Sequence, residues 1–110
     1  MEGDGQMRKV VENYRSANYW YIKYDDGFII QGGKEMRTFG TDSTWNLVFP
    51  KPFTAAPIHI SATFIAPRSS DSSASEVGIK LNTVTATGLT FINDGYGANK
   101  QGYMWEARGY

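Results

Sequence analysis

The chain has 110 residues, enough for one domain with a thin core, and its 11 basic residues balance its 11 acidic ones. A formal net charge of zero leaves no basic field to draw nucleic acid or an anionic membrane surface, and no acidic field either. The absence of cysteine excludes disulfides and thiolate metal sites, while 15% aromatics with 12 glycines point to an all-β domain rich in tight turns.

Met1 leads into Glu-Gly-Asp-Gly-Gln rather than a basic and then apolar stretch, so no signal peptide is read there. No apolar run approaches the roughly 20 residues that a membrane-spanning helix needs, and membrane insertion is not expected. Residues 1–9 are expected to be disordered or to act as a linker, with the domain running from 10 to 110. Met7 to Arg15 fits two patterns: Met7, Val10, Val11 and Tyr14 at helical spacing, or Val10, Glu12 and Tyr14 along one strand face. The Val-Val start and the short Ser16-Ala17-Asn18 link favour a strand over Val10 to Arg15, because an isolated turn or two of helix is marginal.

Tyr19 to Tyr24 and Phe28 to Gln31 are aromatic and β-branched runs joined by Asp25-Asp26-Gly27, a hairpin turn in which Gly27 supplies positive φ. Trp20, Ile22 and Tyr24 fall on one face, and Tyr19, Tyr21 and Lys23 on the other. With rings on both faces, this hairpin is expected to be sandwiched by other strands or by another chain. Lys34 to Ser43 reads as a loop. Thr44 to Phe49 alternates with Trp45, Leu47 and Phe49 inward; Pro50 and Pro52 end it, and Phe53 tucks under the bend.

Pro57 to Ala66 is the longest strand candidate, with Ile58, Ile60, Ala62 and Phe64 inward and His59, Ser61 and Thr63 outward. Pro67 to Ser75 is a polar, exposed loop. Glu76 to Asn82 places Val77, Ile79 and Leu81 inward, and Gly88 to Asn93 follows with Leu89 and Phe91. The glycine-rich loop Asp94 to Gly102 precedes a closing strand, Tyr103 to Tyr110. About eight short strands with regular turns predict an antiparallel β-sandwich or barrel-like fold.

No arrangement of residues carries catalysis. His59 is the only histidine and lies on an outward strand position, so a zinc site or a His-dependent triad lacks its partners. Asp25-Asp26-Gly27 is followed by Phe28-Ile29-Ile30, which breaks a calcium-loop pattern. Asp71, Glu76, Asp94 and Glu106 include no pair whose spacing selects it for glycoside hydrolysis. Gly95, Gly97 and Gly102 open no helix and therefore form no phosphate cradle. Neither metal nor cofactor is expected. Tyr96, flanked by Asp94, Asn99, Lys100 and Gln101, offers a ring with polar groups around it, as a sugar requires; the alternative is that Tyr96 folds back onto its own sheet.

The aromatic strand, Asp-Gly turn, aliphatic strand and Gln31-Gly32-Gly33 together resemble the opening of the C-terminal domain of bacteriophage tail fibre proteins. Phe49-Pro50-Lys51-Pro52-Phe53 with Pro57, the polar loops, and the close Tyr103-Met104-Trp105-Glu106-Ala107-Arg108-Gly109-Tyr110 agree in the same order, covering residues 10 to 110. The resemblance implies a homotrimeric, non-catalytic tip of a virion tail fibre, assembled in the host cytoplasm, that recognises a bacterial surface glycan or surface protein. A small polysaccharide depolymerase and a purely structural trimerisation cap are the competing readings. Large side chains on both faces of Tyr19 to Tyr24 and Tyr103 to Tyr110 independently call for subunit contacts, since one thin sandwich cannot bury them all.

If Val10 to Arg15 rises away from the fibre shaft, strand alternation sends Ser16 to Asn18, Lys34 to Ser43, Pro67 to Ser75 and Asp94 to Gly102 to the far end. Arg68, Asp71, Asp94, Tyr96, Asn99 and Lys100 are then the candidate receptor contacts, with Tyr96 as the stacking residue.

Overall fold

The computed structural model describes residues 8–38, 43–65, 76–80, 82–94 and 100–110. Among them are eight strands: β1 (Val10–Arg15), β2 (Tyr19–Tyr24), β3 (Ile29–Thr38), β4 (Ser43–Val48), β5 (His59–Ile65), β6 (Glu76–Ile79), β7 (Gly88–Asp94) and β8 (Lys100–Gly109). They form a five-stranded sheet in the order β1-β2-β3-β8-β5 and a three-stranded sheet in the order β4-β7-β6, and every pairing is antiparallel. The all-β sandwich expected from the sequence is what the chain forms, and Val10 to Arg15 is a strand.

The β2–β3 turn folds for the reason the sequence gives. Gly27 donates its N–H to Tyr24 O at 3.0 Å and takes φ +91°, a conformation that glycine adopts without a Cβ clash. Asp26 reinforces the turn by accepting the Phe28 N–H at 3.0 Å.

The core lies between the sheets and is built from alternate residues. Trp45, Leu47 and Phe49 from β4 and its end meet Leu89 and Phe91 from β7, and Tyr103, Trp105 and Ala107 from β8. Trp45 stacks on Tyr103 at 5.5 Å, Phe91 sits 4.9 Å from the same ring, and Phe49 packs edge-on to Phe53 at 5.2 Å. Each such buried side chain contributes about 1.5–3 kcal/mol. Phe53 is buried beneath the proline bend, as its sequence context predicts.

Several boundaries differ from expectation. Lys34 to Thr38 continue β3 instead of forming a loop, and β8 begins at Lys100, not Tyr103, because the two strands pair over ten positions from Ile29↔Gly109 to Thr38↔Lys100. Backbone pairing with a long neighbour outweighs polar composition there. Ile58 is exposed, not inward: the strand starts at His59, and before that start the alternation of faces does not apply. β6 stops at Ile79 because the chain turns, with Thr83 bonded back to Lys80 O and Asn82 at φ +66°. Ile79 is partly exposed because β6 is an edge strand, covered on one side alone. Leu81 lies outside the described residues.

β1 and β2 form a wing: none of their residues belongs to the buried core cluster. Among the described residues no further strand covers the wing side of the β2 hairpin, where Tyr14 and Tyr19 are exposed. Fully buried Gln31 ties β3 to the proline bend, its Nε2 donating to Lys51 O at 2.6 Å and its Oε1 accepting the Lys51 N–H at 2.9 Å, and Lys51 Nζ in turn reaches Glu12 of the wing at 2.9 Å.

Candidate functional site

Strand register sorts the two ends of the domain. Thr38 lies opposite Lys100 and Ile65 opposite Gly102, so the strand ends leading into 39–42 and 66–75 and out of 95–99 meet at one end of the larger sheet. In the smaller sheet Ser43 faces Asn93 and Glu76 faces Asp94. The Trp45–Tyr103 and Phe49–Trp105 contacts align the sheets so that these two sets of ends fall together. At the opposite end, Arg8 reaches Asp26 at 2.7 Å and the Tyr110 hydroxyl at 3.1 Å, and Tyr110 O accepts the Thr54 N–H.

Of the six candidate contacts, Arg68, Asp71, Tyr96 and Asn99 lie outside the described residues. Asp94 closes β7 and Lys100 opens β8, both at the end where the strand termini converge. His59 is exposed, and the described residues contain no cluster of three or more metal-ligating side chains.

The described residues also hold a concave site that sequence reasoning missed, on the face of the five-stranded sheet turned away from the core. Cross-strand pairing lines up one row, Arg15, Trp20, Gly32, Glu106 and Ser61, and a second row, Lys34, Met104 and Thr63. Gly32 leaves a gap in the first row, and the Trp20 ring lies in it: a Cβ at Gly32 would stand 2.8 Å from Trp20 Cζ2 and 2.6 Å from the Trp105 carbonyl oxygen. Gly33 plays the matching part on the inner face, beneath Trp105. The β1–β2 hairpin ends at the level of Lys34, whose N–H bonds Asn18 O at 2.9 Å. Because β3 and β8 continue past it, a step forms, and the groove beside that step has a volume of about 480 Å³.

The charges in the groove are unequal. Glu106 is paired with Arg108 at 2.9 Å, whereas Arg15 and Lys34 are exposed and make no ion pair among the described residues. Arg15, Trp20, Ser61, Thr63, Met104 and Glu106 were individually readable as strand residues, whereas Lys34 read as the start of a loop and is in β3. What the sequence lacks is the register that brings the end of β1, the middle of β3 and the middle of β8 into adjacent rows.

On the other face of the wing, Tyr21 donates to Glu12 Oε2 at 2.6 Å and Lys51 Nζ pairs with the same carboxylate at 2.9 Å. The Tyr21 hydrogen bond, and then Lys51, hold the Glu12 carboxyl below its ordinary range, and the same bond pushes the Tyr21 hydroxyl up. Tyr14 stacks on Tyr21 at 5.7 Å. This cluster positions the wing and has no group poised for chemistry.

Residues 23–110 match the family described as "Putative tail fiber protein gp53-like, C-terminal". Among solved structures the chain is similar to an N-truncated R1-type pyocin tail fiber, with 26% identity, 98% of this chain and 89% of that chain covered, and a TM-score of 0.70. It is likewise similar to a P. aeruginosa R1 pyocin fiber comprising C-terminal residues 323–701, at 26% identity and TM-score 0.70, covering 98% of this chain but only 29% of that one. An N-truncated R2-type pyocin tail fiber shares the fold at 21% identity and TM-score 0.69, with 98% of this chain and 39% of that chain covered. No curated protein matches the sequence.

Proposed function

We propose, from the premise that this chain belongs to the gp53-like tail fibre C-terminal family, that it is the non-catalytic tip by which a phage or pyocin-type particle attaches to a bacterial surface glycan or protein. The observation that carries this reading is the agreement of family and fold across nearly the whole domain. It is supported by the convergence of the strand ends that flank 66–75 and 95–99, since binding groups commonly sit on loops held by a rigid scaffold. Arg68, Asp71, Asp94, Tyr96, Asn99 and Lys100 are the proposed contacts at that end.

The test is binding of the labelled domain to a panel of bacterial cells. Tyr96→Ala with Lys100→Ala is expected to weaken attachment at least about tenfold, the loss of one stacked ring and one charged contact, while leaving assembly and the melting temperature unchanged. Unchanged binding in that double variant moves the receptor site away from these loops. New reducing ends released from the polysaccharide of a bound strain would replace the attachment reading with a depolymerase.

A further inference from the structure

We infer that the groove at the step of the five-stranded sheet binds an acidic saccharide unit, one bearing a carboxylate or phosphate, as a second contact apart from the loop end. The inference rests on the attachment reading and gives it a ligand chemistry.

The groove combines three things such a unit requires. The first is a flat apolar platform: the half-buried Trp20 ring is held against the sheet by the gap at Gly32, so its orientation is fixed before any ligand arrives. The second is uncompensated positive charge. Arg15 stands next to Trp20 in the same row and Lys34 lies in the adjacent row, while the carboxylate lining the groove, Glu106, is ion-paired with Arg108 at 2.9 Å. Arg15 offers a planar fork suited to a carboxylate or phosphate, and Lys34 a point charge beside it. The third is a set of neutral hydroxyls, Ser61 and Thr63, on the far wall, both exposed and able to bond ring hydroxyls.

A neutral sugar would leave Arg15 and Lys34 unanswered. A purely anionic small molecule would not use the ring. The volume, about 480 Å³, suits one or two sugar rings.

Intrinsic fluorescence reports on the site, because Trp45 and Trp105 are buried at 6% and 4% exposure while half-buried Trp20 lines the groove. Titration of the full chain with trigalacturonate should quench this emission saturably. Its methyl ester, with the same rings and no charge, should bind at least about tenfold more weakly. Arg15→Gln with Lys34→Gln, both at exposed positions, should lose the acidic ligand by a similar factor with an unchanged melting temperature. The ester binding as well as the acid, the double variant binding as well as the parent, or no quenching at millimolar trigalacturonate each overturns the inference. So does a drop in assembly mass in the double variant, which would make this face a subunit contact.

Cell binding separates the groove from attachment itself. If the parent binds cells and the Arg15→Gln, Lys34→Gln variant binds them equally, the groove fails and attachment stands. If the parent binds none of the panel, it is the attachment reading that fails.

Discussion

Gly27 shows how much a single position can dictate. Its φ of +91° lies where L side chains are rarely found, and the turn that it completes sets the β2–β3 register on which the Trp20–Gly32 arrangement depends. Gly27→Val should destabilise the protein by at least ~1 kcal/mol, because a β-branched residue is an outlier in that conformation. A thermal midpoint equal to the parent's would contradict the role assigned to the turn. Gly27, Phe53 and the row Trp45, Leu47 and Phe49 were legible in the sequence since local rules act on them: turn chemistry, proline punctuation and period-two alternation. Trp20 was legible as a strand residue but not as a groove platform, because its place depends on Gly32, a dozen residues away and on the neighbouring strand.

At the scale of elements, the β1–β2 wing depends on the Glu12 cluster. The Glu12 carboxyl is held below its ordinary value of 4.5 by Tyr21 and Lys51, so its contribution is fully present above that value and is lost as pH falls through the lowered folded value. Asp26, lowered by the Phe28 N–H and by Arg8, titrates in the same direction. The melting temperature of the parent should therefore fall more steeply below about pH 4.5 than that of Glu12→Gln, which keeps an acceptor for Tyr21 but has no charge to lose. Parallel curves would show that the cluster does not act through the carboxylate. Eight strands and two sheets followed from alternation and turn signals, whereas Lys34 to Thr38 of β3 and Lys100 to Gly102 of β8 did not. Lys34 and Glu35 look like loop residues by composition, and only the partner strand makes them a ladder. Which strands lie side by side is a long-range choice, and for that reason the groove stayed hidden while its members were visible.

At the scale of the whole molecule, the wing presents apolar surface to solvent. Val10, Val11 and Tyr14 are exposed on β1. We propose that copies of the chain supply the cover in a homotrimer. Light scattering at micromolar concentration should then report about three times 12.3 kDa, and a well-behaved monomer would refute it.

The ten-position β3–β8 ladder has a mechanical meaning as well. It runs from the Ile29–Gly109 end, beside the Arg8 and Tyr110 contacts, to the Thr38–Lys100 end where the strand termini converge. Its hydrogen bonds lie across the strands. Tension applied between the two ends of the domain is therefore carried in shear, shared among many bonds at once instead of opening them one after another. If the particle is attached through the loop end, as proposed above, the longest ladder among the described residues lies along the line of pull.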